Sequence, residues 1–483
     1  MEPVFPFDLA LPGRGEGLLA EALHRQLRAA ILDGRLAAGT QLPATRPAAT
    51  ALGVSRNTVA GVYDLLVAEG YIAARRGAKA TVTALPRRPR PAAARRMSGD
   101  APLNPAWRTP FLGFQPAGDP QGPSFRIGIP DCRHFPHETW RRLTGRALRA
   151  LSGRPFSYAP TQGLPELREA IARHVAFARA VACRPDDVIV TSGAQQAFDL
   201  LARALVTPGK TTVAVEEPGY PPMRAAFAAA GARLVPVPVD HEGLCVERLP
   251  DAARIVVVSP SHQSPTGVAL TLRRRSELLE FAHRRGAAVI EDDYDGEFRF
   301  GGRPLDALQT LDRDARVFYV GTFSKSLFPA LRKGFVVAPA WARVALVTVK
   351  HCADSHSDAI TQSVLAAFIR DGHLARHLRR MTAIYAGRRA VLLEGLEQEL
   401  ASWLAPIPSE AGMHLSARVF RRTGAAQLIA VARRCAPGVA SHDDYAMEAG
   451  CAPALTFGYG VIDEKEIRPA LIRLRQELLA SFS

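Results

Sequence analysis

Val317-Phe-Tyr-Val-Gly-Thr-Phe-Ser-Lys-Ser-Leu327 begins as a short apolar run and ends in a polar loop that carries a lysine. Such a run reads as a buried strand, so Lys325 stands at its carboxyl end, where open α/β sheets collect ligands. Outward from this stretch the same pattern recurs. Val188-Ile-Val-Thr191, Thr212-Val-Ala-Val215, Ile255-Val-Val-Val258 and Ala288-Val-Ile290 are short, apolar and rich in β-branched residues, with helical stretches between most of them. Strands alternating with helices predict a mostly parallel sheet covered on both faces.

At 483 residues the chain exceeds one ordinary domain. Hydrophobic residues at 47% and charged residues at 22% fit a globular protein, and no apolar run is long enough to span a bilayer. Met1 to Gly13 contains Asp8 and Pro12 and has no basic region followed by an apolar stretch, so a cytoplasmic protein without a membrane partner is expected. The six cysteines are scattered, with no C-x-x-C pair, which predicts reduced thiols and no metal site. A formal charge of +15 favours polyanions without naming one.

Thr83 to Met97 is rich in proline and arginine and has no acid, the composition of an extended basic linker. Before it, Leu18, Leu19, Ala22, Leu23, Leu27, Ala30 and Ile31 recur at spacings of three and four, a helix that Gly34 closes. Thr45 is placed to cap a second helix running to Leu52, and Ser55 a third from Arg56 to Glu69. Tyr71 to Ala74 and Lys79 to Thr83 then predict a small β-hairpin around Arg75, Arg76 and Gly77. Three helices and a hairpin outline a winged helix-turn-helix. Ser55, Arg56, Asn57 and Thr58 would open its recognition helix towards base edges, and Arg46, Arg75, Arg76 and Lys79 would meet phosphates.

The ordered matches Gly34-Arg-Leu36, Gly39, Leu42-Pro43, Arg46, Leu52-Gly-Val-Ser-Arg56, Thr58-Val59, Tyr63, Leu66 and Glu69-Gly-Tyr71 resemble the GntR family of bacterial regulators. Double-stranded DNA is the partner this implies. The chain departs from that family at the wing, where Gly77-Ala-Lys-Ala80 replaces Gly-Ser-Gly-Thr, and at Ala48, where a larger apolar residue is usual.

Around Lys325 stand the groups that a pyridoxal phosphate cofactor requires. A lysine can form a Schiff base with its aldehyde. Glu291-Asp-Asp-Tyr-Asp295 follows a strand and offers Asp292 to the ring nitrogen and Tyr294 to the ring 3'-oxygen. Ser192-Gly-Ala-Gln-Gln196 leads into a helix expected to start near Gln196, so the N–H groups of Gly193, Ala194 and Gln195 can cradle the phosphate. Thr322, Ser324 and Arg332 can close around it, and Tyr220 can stack on the ring.

These strings, with Ser259-Pro-Ser-His-Gln-Ser-Pro-Thr-Gly267, Tyr158-Ala-Pro-Thr-Gln-Gly163 and Gly412-Met-His414, resemble fold-type-I aminotransferases, and among them the effector half of the MocR/GabR regulators. The resemblance implies a lysine-bound cofactor on Lys325, and it implies a homodimer in which Tyr158 reaches the phosphate of the other subunit. It also implies an α/β architecture: a winged helix-turn-helix over residues 1–82, a basic linker over 83–115, and over 116–483 a PLP-dependent transferase-like domain with a mostly parallel sheet and a small C-terminal α/β subdomain. Two departures bear on function. Ser264 stands where enzymes of the fold place an asparagine near the 3'-oxygen, and Thr456 stands where they carry the arginine that clamps a substrate carboxylate. The expectation is a transcription regulator that senses pyridoxal phosphate, an amine or an amino acid through an aldimine on Lys325; the alternative is an aminotransferase that retains a helix-turn-helix.

Overall fold

Glycines with positive φ punctuate the N-terminal region: Gly34 at 86°, Gly53 at 64° and Gly70 at 78°, each where a helix has just ended. The structure is a computed structural model that describes residues 4–12, 19–74, 79–84, 124–152, 157–301, 306–420 and 424–482. The chain divides into two compact units, Met1–Leu103 and Asn104–Ser483.

The first unit contains α1 (Leu19–Leu32), α2 (Thr45–Leu52), α3 (Arg56–Ala68), β1 (Ile72–Ala73) and β2 (Thr81–Val82). The sequence stripes point inward as expected: Leu23, Leu27, Ala30 and Ile31 of α1 pack with Val59, Val62, Tyr63 and Leu66 of α3. Ala48 is fully buried in the same core. Ser55 caps α3 by accepting the Thr58 N–H at 3.0 Å. The expected cap at Thr45 is corrected. Thr45 is the first helical residue, Ala44 holds the cap position, and no side chain accepts there. β1 and β2 pair antiparallel, Ile72 opposite Val82, and form the wing. Arg75, Arg76 and Gly77, and the linker beyond Ala84, lie outside the described residues.

The second unit begins with α4 (His137–Leu151) and α5 (Pro165–Arg179) and then alternates β3 (Val188–Thr191), α6 (Ala194–Leu205), β4 (Thr212–Glu217), α7 (Pro221–Ala229), β5 (Arg233–Asp240), β6 (Gly243–Leu244), β7 (Ala253–Val258), α8 (Leu272–Arg285), β8 (Ala288–Asp293), α9 (Leu308–Leu311), β9 (Val317–Thr322) and β10 (Gly334–Val337). The eight strands form one sheet in the order β3-β10-β9-β8-β7-β4-β5-β6. The pairs from β5 through β4, β7 and β8 to β9 are parallel. β10 runs antiparallel to both its neighbours, and β6 antiparallel to β5. The apolar, β-branched strands found in the sequence are buried on both faces because helices cover each side.

A smaller C-terminal part follows α10 (Arg343–Asp354), α11 (Ala359–Arg370) and the long α12 (His373–Glu399). It contains β11 (Leu404–Pro406), β12 (His414–Val419), α13 (Ala425–Cys435), β13 (Ala440–Ser441), β14 (Ala454–Gly458) and α14 (Glu464–Phe482). Its four strands are all antiparallel, in the order β11-β12-β14-β13, and they share a core with α12, α13 and α14.

Candidate functional site

Four carboxylates, Glu291, Asp292, Asp293 and Asp295, crowd the carboxyl end of β8, all buried. Their partners separate their roles. Glu291 accepts the N–H groups of Leu308 and Gln309 at 2.8 and 2.9 Å and so holds the start of α9. Asp293 accepts from Arg179 Nε and from the Tyr319 hydroxyl, both at 2.7 Å. Asp295 faces His262 Nδ1 with its two oxygens at 3.2 and 3.1 Å. Asp292 differs, for its Oδ1 is buried without a hydrogen-bond partner. Burial, then repulsion from Asp293, Glu216 and Asp295, pushes its carboxyl up to about 8, with Lys325 pulling the other way. A carboxylate so placed is completed by a partner that brings a proton, which is what a protonated ring nitrogen offers.

Lys325 leaves β9 three residues after its last strand position, and its Nζ donates to the Gly128 carbonyl at 2.6 Å. Burial lowers the amine's pKa; Asp295 and Asp292 oppose that, and Arg332 adds to it. A depressed lysine is more often the free base, the form that attacks a carbonyl.

The third group is an anion cradle. α6 begins at Ala194, two residues before its expected start, because Gly193 at φ 81° makes the turn immediately after β3. The first N–H groups of a helix have no intrahelical acceptor, so those of Gly193, Ala194 and Gln195 face outward from this end. The Arg332 guanidinium lies on the same turn: Nη2 donates to the Ser192 carbonyl at 2.6 Å, and a Cβ on Gly193 would come within 2.8 Å of Nη1. Thr322 and Ser324 are joined Oγ1 to Oγ at 3.0 Å beside Lys325.

Tyr220, at the start of α7, has its hydroxyl pushed up to about 12 by burial first and then by Asp292, with Arg332 opposing. Tyr294 is part-buried with its hydroxyl 3.1 Å from His262 Nδ1, and burial raises its pKa well above the usual tyrosine value. Ser264 is buried in the loop after β7. Tyr158 is not drawn into this group; it is 86% exposed and edge-on to His356. Thr456 is buried on β14 opposite Ser416, whose Oγ lies 2.7 Å from Thr456 Oγ1, so a neutral pair occupies the expected place of a carboxylate clamp.

Sequence reasoning did not single out Gly128, which meets Lys325, nor His262 and Asp295, which stand behind Tyr294. The signal for Asp295 was present in the Asp-Tyr-Asp spacing, and for His262 in the loop that also supplies Ser264. Gly128 gave no signal, because only the fold brings it across to Lys325.

On the winged helix, Arg46, Ser55, Arg56 and Asn57 are exposed and Thr58 half-exposed at the amino end of α3 and beside it, and Lys79 is exposed at the wing. Arg56 Nε donates to Thr45 Oγ1 at 3.4 Å, which joins the two helices at the face a DNA groove would meet.

Comparison with known proteins agrees with both halves. Residues 19–82 match the family described as bacterial regulatory proteins, gntR family, and residues 128–433 match aminotransferase class I and II. The chain is 38% identical over 462 residues to the probable rhizopine catabolism regulatory protein MocR of Rhizobium meliloti, covering 95% of this chain and 93% of that one. It is 31% identical to the pyridoxine biosynthesis transcriptional regulator PdxR of Corynebacterium glutamicum, covering 94% of each. Among solved structures, the α-aminoadipate aminotransferase LysN of Thermus thermophilus, complexed with N-(5'-phosphopyridoxyl)-L-leucine, is 29% identical with a TM-score of 0.67, covering 74% of this chain and 92% of that one.

Proposed function

Because the chain belongs to the MocR/GabR type of regulator, which joins a gntR-family DNA-binding domain to a class I and II aminotransferase domain, we propose that it switches its hold on DNA according to what Lys325 has bound. It is a pyridoxal-phosphate-dependent, DNA-binding transcription regulator. We assign DNA binding to residues 1–82, a basic linker to 83–115 and sensing to 116–483. The observation that carries the sensing half is the buried, unpartnered Oδ1 of Asp292 at the strand end next to Lys325.

Bound in this site, pyridoxal phosphate supplies an aldehyde that condenses reversibly with an amine and a ring that withdraws electrons. Lys325 would hold it covalently. Asp292 would keep a proton on the ring nitrogen, Tyr294 and Ser264 would meet the 3'-oxygen, and Tyr220 would lie on the ring face. Gly193, Ala194, Gln195, Thr322, Ser324 and Arg332 would surround the phosphate. The exposed Tyr158 is free to reach the same group in a second subunit, so we assign a homodimer. The effector is the cofactor itself, an amine or an amino acid, and it acts by binding one arrangement of the protein more tightly than another. No helix among the described residues is long and apolar enough to cross a membrane, and we place the protein in the cytoplasm with its DNA.

The deciding experiment measures affinity for the protein's own upstream DNA as amines are titrated, with the cofactor's visible absorbance followed in parallel. Affinity and absorbance should change together in the wild type, and in Lys325→Ala neither should respond. Steady turnover of amino groups between an amino acid and a keto acid, with DNA affinity unmoved, would make the chain an aminotransferase instead.

A further inference from the structure

Behind Tyr294 lies a buried cluster that the cofactor site does not use directly. His262 Nδ1 sits 3.2 and 3.1 Å from the two oxygens of Asp295 and 3.1 Å from the Tyr294 hydroxyl. His262 and Asp295 are 2% exposed each. The ring is held in place by backbone: a Cβ on Gly412 would fall 2.0 Å from its Cε1, and one on Gly267 would fall 3.3 Å from its Nε2. On its other side the His414 ring lies 4.3 Å away, centroid to centroid.

One nitrogen facing two oxygen groups leaves few proton arrangements. An ionised carboxylate only accepts, and the near-equal distances to both Asp295 oxygens suit one N–H straddled by a carboxylate rather than an acid O–H aimed at a lone pair. Nδ1 therefore carries the proton. The Tyr294 oxygen, sharing that N–H, can accept from it but has no lone pair to donate to at Nδ1. Its own proton must point elsewhere, and the residue lies beside Asp292 at the site where the cofactor's 3'-oxygen is assigned. His262 Nε2, on the other side of the ring, is buried with no partner.

We propose that His262, oriented by Asp295, is a positioning residue that fixes Tyr294 as a hydrogen-bond donor into the cofactor site. This rests on the cofactor assignment above. The other groups facing the cluster do not supply a competing proton. His414, on β12, donates its Nε2–H to the Pro265 carbonyl at 3.0 Å, and burial holds its pKa well below the usual histidine value. Asp292, Glu216 and Tyr445 raise the pKa of Tyr294 further and so keep its proton on.

The test is the pH dependence of the visible band in protein loaded with pyridoxal phosphate, since that band changes with the proton held near the 3'-oxygen. Tyr294→Phe should move its midpoint by about one pH unit, a tenfold change in the proton equilibrium. His262→Gln and Asp295→Asn should move it in the same direction, and either of them combined with Tyr294→Phe should move it no further than Tyr294→Phe alone. A merely structural role would weaken cofactor loading and leave the midpoint in place, which would overturn the proposal. Should His262→Gln not fold, nitrogen-15 NMR of labelled histidines in the loaded wild type decides the matter. A protonated Nδ1 supports the positioning role; a bare Nδ1, or a metal ion bound stoichiometrically at His262, Asp295 and His414, overturns it. A wild type that gains no visible band overturns the cofactor assignment itself, whereas an unmoved midpoint in loaded variants overturns the positioning role alone.

Discussion

The amine of Lys325 is hydrogen-bonded, at 2.6 Å, to the carbonyl of Gly128, a residue almost two hundred positions earlier in the chain. Gly128 has φ +70°, and a Cβ built on it would lie 2.8 Å from Nζ. Its segment is fastened on the far side by Phe125, whose N–H donates to the Pro437 carbonyl and whose carbonyl accepts from Gly458, both at 2.8 to 2.9 Å. The lysine that would hold the cofactor thus touches the segment that precedes α4 in the chain.

Gly128→Ala should therefore damage cofactor loading as well as the stability of the fold. The new methyl displaces Nζ, and a left-handed φ costs an L-residue about 1–2 kcal/mol. Titration with pyridoxal phosphate should show weaker uptake by about tenfold, as 1.4 kcal/mol implies, while Lys325→Ala retains no covalently bound cofactor after dialysis. Equal uptake by Gly128→Ala and wild type would show that the contact is incidental.

Asp292→Asn should have opposite effects with and without cofactor. Without it, the carboxyl rises from 3.8 to about 8 on folding, so its contribution is fully present below pH 3.8 and is lost as pH climbs through 8. The variant should gain stability relative to wild type across that window. With cofactor the order reverses, because the charged hydrogen bond to the ring nitrogen, about 1.5–3 kcal/mol, is lost. Thermal unfolding of both forms at pH 5 and pH 8 measures this, and parallel curves for the two proteins would remove Asp292 from the site.

Much of this site could be read in the sequence because strand ends are visible as strings. Lys325, Asp292 and Ser192 each follow an apolar run, and a parallel sheet necessarily brings such ends together. The sequence offered Asp292 among four acids, and in the structure its Oδ1 is buried without a partner while Glu291, Asp293 and Asp295 are engaged elsewhere. What could not be read were contacts across the fold. Gly128 meets Lys325 and Ser416 meets Thr456 only after the chain has folded back, and no local pattern records that pairing. The missed cap at Thr45 and the start of α6 were errors of local geometry, decided by one or two residues whose φ the sequence does not state.

Two buried histidines give the protein an acid edge. His442 and His377 have pKa values held at about 4, His442 by burial alone and His377 by burial first and then Arg380 and His134. In the unfolded chain each protonates near 6.5, so stability is level above that value and is lost as pH falls from 6.5 towards 4. His442→Gln should flatten the fall in unfolding temperature over this range compared with wild type. An unchanged slope would mean that His442 takes up its proton without unfolding.

Arg56→Ala and Ser55→Ala should separate recognition from architecture in the winged helix. Arg56 is exposed at the start of α3 and makes one long hydrogen bond, to Thr45 Oγ1 at 3.4 Å, so its loss leaves the core untouched. If it reads a base edge, the variant loses about 1–3 kcal/mol of affinity and its preference at one base pair. If it meets a phosphate, affinity falls evenly across sequences and the dependence on salt drops by about one charge. Ser55 instead supplies the cap, accepting from Thr58 at 3.0 Å, and its removal should cost about 0.5–2 kcal/mol of stability in this unit. DNA affinity at two salt concentrations, read beside thermal unfolding, distinguishes them. An Arg56→Ala protein that binds its operator as tightly as wild type at both salts would mean that the amino end of α3 does not face DNA.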